Sequence, residues 1–323
     1  MKALVFERFG GPDVLALREL PDPDAQAGEA VVRTEAVGLN FADVYRRQGR
    51  YHLAGDPPWI LGYEAAGQVV AVDPAHAASV PVGSRVAFAD SPRANAELVA
   101  VPVGKLIGLP EGIDARDAVA VLLQGLTAQF LTADSFAVGP GHDVVVHAAG
   151  GGVGQLLVQI ARLRGGRVLG IASTDEKRRA AAEAGADRVI DSAGAWWEEA
   201  IAWSRSGAGV DVVYDSVGAT LPRSFDAVAV GGTVVFFGMA GGDPDPVDPR
   251  MLMDTSKTLT GGDLWNVLRT PEDRARRAAE LFGWLTAGDV RPRVAATFPL
   301  AEGAEAHRFL ESRSSAGKVL LIP

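Results

Sequence analysis

The chain has 323 residues, enough for about two domains, and its 48% hydrophobic and 22% charged residues are ordinary for a globular protein. Its 40 acidic and 31 basic residues give a net charge of −9, which opposes the basic surface that nucleic acids and anionic membranes require. With no cysteine in the sequence, disulfides, thiolate nucleophiles and cysteine-bound zinc are excluded.

Targeting and membrane segments are not predicted. The amino-terminal segment Met1–Phe9 carries Lys2, Glu7 and Arg8 around one short apolar run. Nowhere do about 18 apolar residues follow one another without a charge, as a membrane-spanning helix would need. We therefore expect a cytoplasmic protein with no membrane span and no nucleic-acid partner.

Residues 1–110 predict a mostly β domain. Short alternating or β-branched runs are bounded there by Gly, Pro and Asp, which is typical of strands joined by irregular connections. The predicted strands are Met1–Phe6, Ala30–Ala36, Gly67–Val72, Arg85–Phe88 and Glu97–Pro102.

From about Leu122 to Leu264 the pattern changes to strands that alternate with helices. Repeated βαβ units indicate a parallel sheet covered on both faces. The predicted strands are Asp143–His147, Arg167–Ala172, Arg188–Asp191, Asp211–Asp215 and Thr233–Gly238. The predicted helices between them are Gln155–Arg164, Glu176–Ala184, Trp197–Trp203 and Leu221–Ala229.

The last part of the chain is predicted to complete the first domain. Its elements are a helix Glu272–Ala287, a strand Val294–Pro299, a helix Ala301–Ser312 and a strand Lys318–Ile322. The predicted organisation is a catalytic domain over residues 1–122, a dinucleotide-binding domain over 123–264 and a return segment over 265–323.

A glycine loop follows the first strand of the alternating region. Val144–Gly154 leads from a buried-strand pattern into a helix, with Ala149, Gly151 and Gly154 at the key places of a G-x-G-x-x-G variant. These places serve a tight turn, close backbone approach to phosphate, and close packing of the helix on the strand. The helix amino terminus would supply N–H groups and positive dipole to the anion. The alternative is a glycine turn without a ligand.

The end of the next strand bears on the choice of dinucleotide. NAD-selective folds place an acidic residue at this strand end. In this sequence Ala172 is followed instead by Ser173 and Thr174. Ser173 together with Lys177 predicts a clamp for the 2′-phosphate of NADPH. In an alternative interpretation, Ser173 and Glu176 form a capping box and Lys177 lies on a solvated helix face. A strand two residues longer would instead place Asp175 as an NAD-binding acid.

Several motifs together resemble the zinc-independent quinone oxidoreductase, or zeta-crystallin-like, branch of the medium-chain dehydrogenase/reductase superfamily. The resemblance covers nearly the whole chain and implies an α/β protein: a GroES-like β domain, a Rossmann domain with a doubly wound parallel sheet, the cofactor in the cleft between them, and a homodimer formed by edge-to-edge pairing of Rossmann sheets. The motifs are Gly10–Leu15, Ala36–Asp43, Gly62–Gly67, Gln124–Thr127, His147–Gly154, Tyr214–Gly218 and Gly317–Val319.

The resemblance also bears on zinc. Zinc-dependent relatives place a cysteine near the position of Asn40 and a histidine at that of Tyr63. An amide and a phenol are poor zinc ligands, and the five histidines show no paired spacing. We therefore expect no catalytic metal.

The resemblance implies two sets of site residues. The catalytic candidates, which would orient the reactants or donate hydrogen bonds to a developing oxyanion, are Asn40, Tyr51, Tyr63 and Thr127. The cofactor-binding candidates are Tyr45, Gln124, Thr127, Ala149, Gly151, Gly152, Val153, Gly154, Ser173, Thr174, Lys177, Ser216, Gly238, Met239, Leu264, Trp265 and Lys318.

Some of these residues have structural alternatives. Tyr45 and Tyr51 flank Gly49 in a predicted loop, where they could cover apolar surface. Asp43 is interpreted as a buried or capping carboxylate, and Lys318 either reaches a phosphate or faces solvent. Because Ser192 stands where many relatives have a tyrosine, the 2′-phosphate grip is either weaker or shifted onto Lys177 and Arg178.

The sequence thus predicts an NADPH-dependent, zinc-free reductase that transfers hydride to a small quinone or conjugated carbonyl. The alternative within the enzymes is an enoyl or enone reductase, including one that acts on acyl thioesters. Outside the enzymes, the alternative is an NADPH-binding sensor or a crystallin-like protein.

Overall fold

The computed structural model describes residues 1–53, 55–312 and 314–323. These residues form two compact units. Unit 1 comprises Met1–Leu123, Leu268–Thr286 and Pro292–Pro323, and unit 2 comprises Gln124–Val267 and Ala287–Arg291.

Strands and helices are numbered in chain order. The strands are β1 (Lys2–Phe6), β2 (Ala16–Glu19), β3 (Glu29–Leu39), β4 (Trp59–Ile60), β5 (Ala65–Val72), β6 (Arg85–Phe88), β7 (Leu98–Pro102), β8 (Ile107–Gly108), β9 (Asp143–Val146), β10 (Arg167–Ala172), β11 (Arg188–Asp191), β12 (Val210–Asp215), β13 (Val228–Phe236), β14 (Thr258–Gly261), β15 (Val294–Pro299) and β16 (Lys318–Ile322). The α-helices are α1 (Phe41–Arg47), α2 (Ala115–Phe130), α3 (Gly152–Leu163), α4 (Asp175–Glu183), α5 (Trp196–Trp203), α6 (Leu221–Ala227), α7 (Pro249–Thr255), α8 (Leu264–Val267), α9 (Pro271–Ala287) and α10 (Gly303–Glu311).

Unit 1 is built around the long strand β3. This strand pairs antiparallel with β5, β7 and β16, so the last strand of the chain lies beside one of the first. The sheet order is β15-β16-β3-β5-β6-β8, and a small sheet β2-β1-β4 accompanies it. Apolar residues from both sheets and from α10 form one core that includes Leu4, Phe6, Val32, Phe88 and Leu310. The GroES-like fold class predicted for this part of the chain is confirmed.

Unit 2 contains a parallel sheet of order β11-β10-β9-β12-β13-β14. Relative to the first strand β9, this is the 3-2-1-4-5-6 order of a doubly wound dinucleotide-binding fold. All four residues of β9 are buried, as expected for a strand with helices on both faces. The strand order reverses between β9 and β12, and ligands of such sheets bind outside the carboxyl ends of the strands at this point. The Rossmann fold class is confirmed.

Four helices, α1, α2, α7 and α8, were not predicted from the sequence, and two of them have a clear reason. Helix α2 is almost continuously apolar (Ala-Val-Ala-Val-Leu-Leu), so it lacks the polar face that marks an amphipathic helix. Helix α1 is only seven residues long and includes Tyr45, so the expectation that this residue lies in a loop is wrong. Helix α6 ends at Ala227, and Val228 already belongs to a strand, two residues before the predicted end of the helix.

The structure offers no membrane-crossing segment among the residues it describes, since none of their helices is both long and apolar enough.

Candidate active site

The glycine loop joins β9 to α3 in unit 2. Gly151 is the N-cap residue of α3, and no side chain caps the helix. The amide of Gly151 donates to the carbonyl of Ala148 at 2.8 Å, which closes a tight turn. The first turn of the helix contains no acidic residue, and amides in this position have no acceptor within the helix. This terminus is therefore suited to an anion.

The space that neighbouring atoms leave for a side chain differs among the glycines of this loop. A Cβ on Gly154 would lie 2.2 Å from the carbonyl oxygen of Ala148, so only glycine lets the helix pack this closely on the turn. A Cβ on Gly152 would lie 2.2 Å from Oε1 of Gln124. A Cβ on Gly151 would meet one neighbour within 4 Å, the carbonyl oxygen of Ala148 at 3.1 Å, a tight contact that a shift of a few tenths of an ångström would relieve. The loop thus has the shape of a cradle in which a phosphate group can approach the backbone, and it fits a dinucleotide.

The tight turn is formed one residue earlier than predicted. Ala148 has a φ of +49°, in the left-handed region that favours glycine, whereas the predicted turn residue Ala149 is completely buried. Val153 lies in the first turn of α3 beside Gly152 and Gly154. The loop therefore carries backbone strain at Ala148.

The carboxyl end of β10 leads directly into α4. Thr174, and not Ser173, is the N-cap residue: its hydroxyl accepts from the amide of Lys177 at 3.2 Å. The predicted capping box between Ser173 and Glu176 is thus replaced by a cap one residue later. The strand ends at Ala172, so the alternative with a longer strand and an NAD-binding Asp175 is also wrong.

Lys177 is held next to the glycine loop. A Cβ on Gly150 would lie 2.4 Å from the carbonyl oxygen of Lys177 and 2.8 Å from its Cα. Glycine at position 150 therefore lets the first turn of α4 touch the loop. Ser173 and Thr174 are exposed at the same strand end, so the structure brings these three predicted phosphate contacts together.

Asp215 organises the end of β12. Its carboxylate accepts from the amides of Val217 and Gly218 at 2.9 and 3.1 Å and from the hydroxyl of Ser224 at 2.7 Å. Burial opposes ionisation, but the nearby His147 and these donors hold the pKa of Asp215 below its usual range. The same burial lowers the pKa of His147. Asp215 thus fixes a turn and is not exposed for acid–base catalysis.

The other cofactor candidates of unit 2 lie at loop and helix positions near this turn or on α2 and α8. Ser216 follows β12, and a Cβ on Gly238 would lie 3.1 Å from the carbonyl oxygen of Ser216. Met239 follows Gly238 and is partly buried. Gln124 and Thr127 are three residues apart on α2 and so share one face, while Leu264 and Trp265 begin α8.

Unit 1 contains a buried ionic cluster of Asn40, Glu64 and Lys318. The ammonium of Lys318 lies 2.5 Å from Oε2 of Glu64 and donates to Oδ1 of Asn40 at 3.0 Å. The Nδ2 of Asn40 donates to Oε2 of Glu64 at 3.1 Å, and the backbone amide of Leu123 donates to Oε1 at 2.6 Å. Glu64 and Lys318 are 0% and 1% exposed.

This cluster changes two predictions. Lys318 does not face solvent, and its buried ammonium could reach a phosphate only by leaving Glu64. Asn40 was expected to orient a reactant, whereas the structure engages both its amide oxygen and its amide nitrogen in the cluster. Asp43 accepts from the backbone amide of Asn40 at 3.0 Å and is buried at the start of α1, as its structural interpretation states.

Arg46 joins the two tyrosines that were proposed as hydrogen-bond donors. Its guanidinium carbon lies 3.9 Å from the ring centre of Tyr63 and 4.9 Å from that of Tyr51. Such stacking is favourable because the ring face is negative. Burial raises the pKa of the Tyr63 phenol, against the attraction of Arg46, so the phenol keeps its proton. Tyr45 lies one residue before Arg46 on α1, and its ring is 6.1 Å from that of Phe41.

Sequence reasoning missed Glu64 and Arg46. Glu64 lies in the motif Gly62–Gly67 close to Leu61, Ala65 and Ala66, and an acid in such an apolar stretch is a signal that it has a partner. Arg46 gave no comparable signal, because it lies in the polar run Tyr-Arg-Arg-Gln, where a charged residue ordinarily faces solvent.

The residues at the expected zinc-ligand positions do not fit zinc. The amide oxygen of Asn40 accepts from the Lys318 ammonium, and a second cation there would be repelled. Within the described ranges, no group of three or more His, Cys, Asp or Glu residues could hold a metal ion.

Two family models match the chain. Residues 26–134 match the alcohol dehydrogenase GroES-like domain, and residues 152–281 match the model described as zinc-binding dehydrogenase. Asn40 and Tyr63, at the expected ligand positions, lie in the first of these segments.

Full-length relatives are also found. A quinone oxidoreductase of Pseudomonas aeruginosa is 38% identical over 325 residues, which is 100% of this chain and 99% of the relative. A 2-haloacrylate reductase of Burkholderia is 35% identical over 99% of this chain and 98% of its own.

Among solved structures, Escherichia coli quinone oxidoreductase complexed with NADPH has a TM-score of 0.95 and 34% identity, with 100% of both chains covered. A mycobacterial protein, Rv1454c, complexed with NADPH has a TM-score of 0.95 and 38% identity, again with 100% of both chains covered. With its two-domain fold, its glycine loop and relatives of this identity along its whole length, the chain belongs to the zinc-independent quinone oxidoreductase branch of the medium-chain dehydrogenase/reductase superfamily.

Proposed function

We propose that the protein is an NADPH-dependent quinone oxidoreductase that works without a metal. The observation that carries this proposal is the fitted phosphate cradle at Gly151–Gly154, in a chain that is 38% identical to a quinone oxidoreductase over its full length. Two solved relatives of the same size are complexed with NADPH.

In this proposal the glycine loop and the amino terminus of α3 hold the pyrophosphate. Ser173 and Thr174, which follow β10, and Lys177, in the first turn of α4 against Gly150, receive the 2′-phosphate in this proposal. Replacing Lys177 with Ala should then raise the KM for NADPH and leave that for NADH nearly unchanged. An equal loss with both dinucleotides would contradict the 2′-phosphate contact.

The reduced nicotinamide supplies the hydride, and the protein aligns the acceptor with it. One hydride from NADPH and one proton convert a quinone to a hydroquinone, or a conjugated carbonyl to its saturated product. Tyr63, whose phenol keeps its proton and whose ring is stacked by Arg46, donates a hydrogen bond to the oxygen on which negative charge develops. Tyr51, stacked on the same guanidinium, is the second candidate donor.

A second candidate function is reduction of an activated carbon–carbon double bond in a conjugated carbonyl. It is favoured by the 35% identity to a 2-haloacrylate reductase over nearly the whole chain. Both reactions need the same hydride and the same stabilisation of an oxyanion, so the acceptor alone distinguishes them.

The expected homodimer is also part of the proposal. Strand β14 lies at the edge of the sheet in unit 2, and an open edge is a template for pairing with a second chain. Light scattering of the purified protein should give the mass of a dimer, and a monomer mass at micromolar concentration would contradict this. The cytoplasmic location stays a prediction.

One experiment tests the function. Initial rates are measured with NADPH and NADH against a panel of 1,4-quinones, enones, enoyl thioesters and 2-haloacrylate. Turnover of quinones with NADPH supports the main proposal. Turnover of the double-bond substrates alone supports the second, and binding of NADPH without any turnover leaves the sensor or crystallin-like alternative. A rate with NADH equal to that with NADPH contradicts the cofactor assignment.

A further inference from the structure

Arg178 is clamped between two carboxylates at the strand end that carries the predicted 2′-phosphate contacts. Its Nη1 donates to Oδ2 of Asp191 at 2.7 Å and to the carbonyl oxygen of Ala172 at 3.3 Å. Its Nη2 donates to Oδ1 of Asp175 at 2.5 Å. The guanidinium therefore has a defined position, although its side chain is 27% exposed.

The fold brings these acceptors together around Arg178. The parallel register pairs Ala172 with Asp191, so this carboxylate lies beside the end of β10. The backbone amide of Ala193 donates to Oδ1 of Asp191 at 2.9 Å and holds the carboxylate in place. Because α4 begins at Asp175, this residue lies three positions before Arg178 on the same helix face.

The charges at this strand end have opposite effects on the two dinucleotides. A carboxylate suits the ribose hydroxyls of NADH, to which it can offer an acceptor, but it repels the 2′-phosphate of NADPH. Asp175 and Asp191 place two negative charges at this strand end, in a chain that we propose uses NADPH. Direct binding of the phosphate by Arg178, one of the possibilities left open by the sequence, would compete with the three acceptors that already hold its guanidinium.

We propose that Arg178 sets the preference for NADPH over NADH as the counter-ion of Asp175 and Asp191, and that Asp191 limits this preference. The inference rests on the proposed function. Arg178 donates to one oxygen of each carboxylate, so the ribose hydroxyls of NADH cannot use that oxygen. The positive charge of Arg178 also reduces the repulsion between the two carboxylates and the 2′-phosphate of NADPH. Lys177, one residue earlier, remains the direct contact.

The first test replaces Arg178 with Gln and, as a matched control, the exposed Arg179 with Gln, which removes the same charge from the next position of the helix. Dissociation constants of NADPH and NADH are measured by titration calorimetry on the full-length protein. We expect R178Q to raise the Kd of NADPH relative to that of NADH by about three- to tenfold more than R179Q does, the size expected of charges at a partly exposed site.

The second test has the opposite expected sign. In D191N the amide oxygen can still accept from Ala193, but one negative charge is lost, so binding of NADPH should tighten relative to NADH by about threefold. The control is D226N, because Asp226 is also 48% exposed and also pairs with an arginine, Arg223, at 2.8 Å. A misfolded variant would weaken both dinucleotides and could not give this gain.

The outcomes separate the inference from the proposed function. If the wild-type protein prefers NADPH and R178Q behaves like R179Q, or D191N like D226N, the counter-ion role is wrong and the proposed function stands. If the wild-type protein binds neither dinucleotide, both fail. A selective loss in R178Q together with a selective gain in D191N supports the inference.

Discussion

Replacing Gly151 with Ala should separate cofactor binding from folding. The residue has φ −82° and ψ 176°, which alanine adopts freely, and the added Cβ would meet a single neighbour, the carbonyl oxygen of Ala148 at 3.1 Å. Loss of glycine's freedom in the unfolded chain stabilises by about 0.4–1 kcal/mol, and the close contact offsets part of this. The free energy of unfolding should therefore change by less than about 1 kcal/mol.

Cofactor binding should respond differently, because the methyl group would occupy the space through which a phosphate approaches the backbone. We expect the Kd of NADPH to rise at least tenfold, or about 1.4 kcal/mol. The control is Gly154→Ala, whose Cβ would lie 2.2 Å from the Ala148 oxygen and 2.8 Å from its carbonyl carbon, both backbone atoms. This overpacking should destabilise the protein by about 1–3 kcal/mol.

The two variants are compared by urea unfolding and by fluorescence titration with NADPH. Wild-type affinity in Gly151→Ala would refute the assignment of this position to the pyrophosphate. A loss of stability as large as that of Gly154→Ala would refute the claim that position 151 tolerates a methyl group.

Three further predictions concern unit 1. Lys318→Met should lower the free energy of unfolding by about 3–5 kcal/mol because it leaves Glu64 buried without its cation, and the double variant with Glu64→Leu should recover most of this loss in denaturant titrations. Tyr63→Phe, which keeps the ring on Arg46, should lower kcat about 100-fold with an unchanged Kd for NADPH; an unchanged kcat would remove Tyr63 from the mechanism. Because burial raises the pKa of Tyr63, its donor function should persist up to the ordinary tyrosine pKa of about 10 in the pH profile of kcat. Burial, assisted by the charge of Arg47, lowers the pKa of His307 to about 3. Between about pH 6.5 and 3 the unfolded chain therefore binds one proton more than the folded chain. The free energy of unfolding should decrease by up to about 1.4 kcal/mol for each unit by which the pH is lowered through this window, and His307→Leu should reduce this slope in unfolding titrations.

The elements of unit 2 could be predicted because their pattern is local. The bounds of β10 and β11 match the predicted Arg167–Ala172 and Arg188–Asp191, since each is a β-branched run that ends at a turn or helix start. The helix cap was misplaced by one residue, because Ser173 and Thr174 are both good caps and the choice depends on where the backbone turns.

The ionic cluster of unit 1 could not be predicted in the same way. Lys318 follows Gly317 at the start of a strand, where a charged residue ordinarily faces solvent. Its burial depends on Asn40 and Glu64, which are 278 and 254 positions away in the chain. Pairings across such separations leave no periodic signal, so only the three-dimensional structure shows them.

The burial of Lys318 also bears on the chemical resistance of the protein. Quinones and enones are electrophiles that add to thiolates and to neutral amines, and they therefore inactivate many proteins. This chain has no cysteine to offer them. The amine of Lys318 is shielded from solvent, and its protons are engaged by Glu64 and Asn40. The chain thus offers such acceptors no thiolate and withholds the amine of Lys318 from them, which favours a longer working life in the presence of these electrophiles.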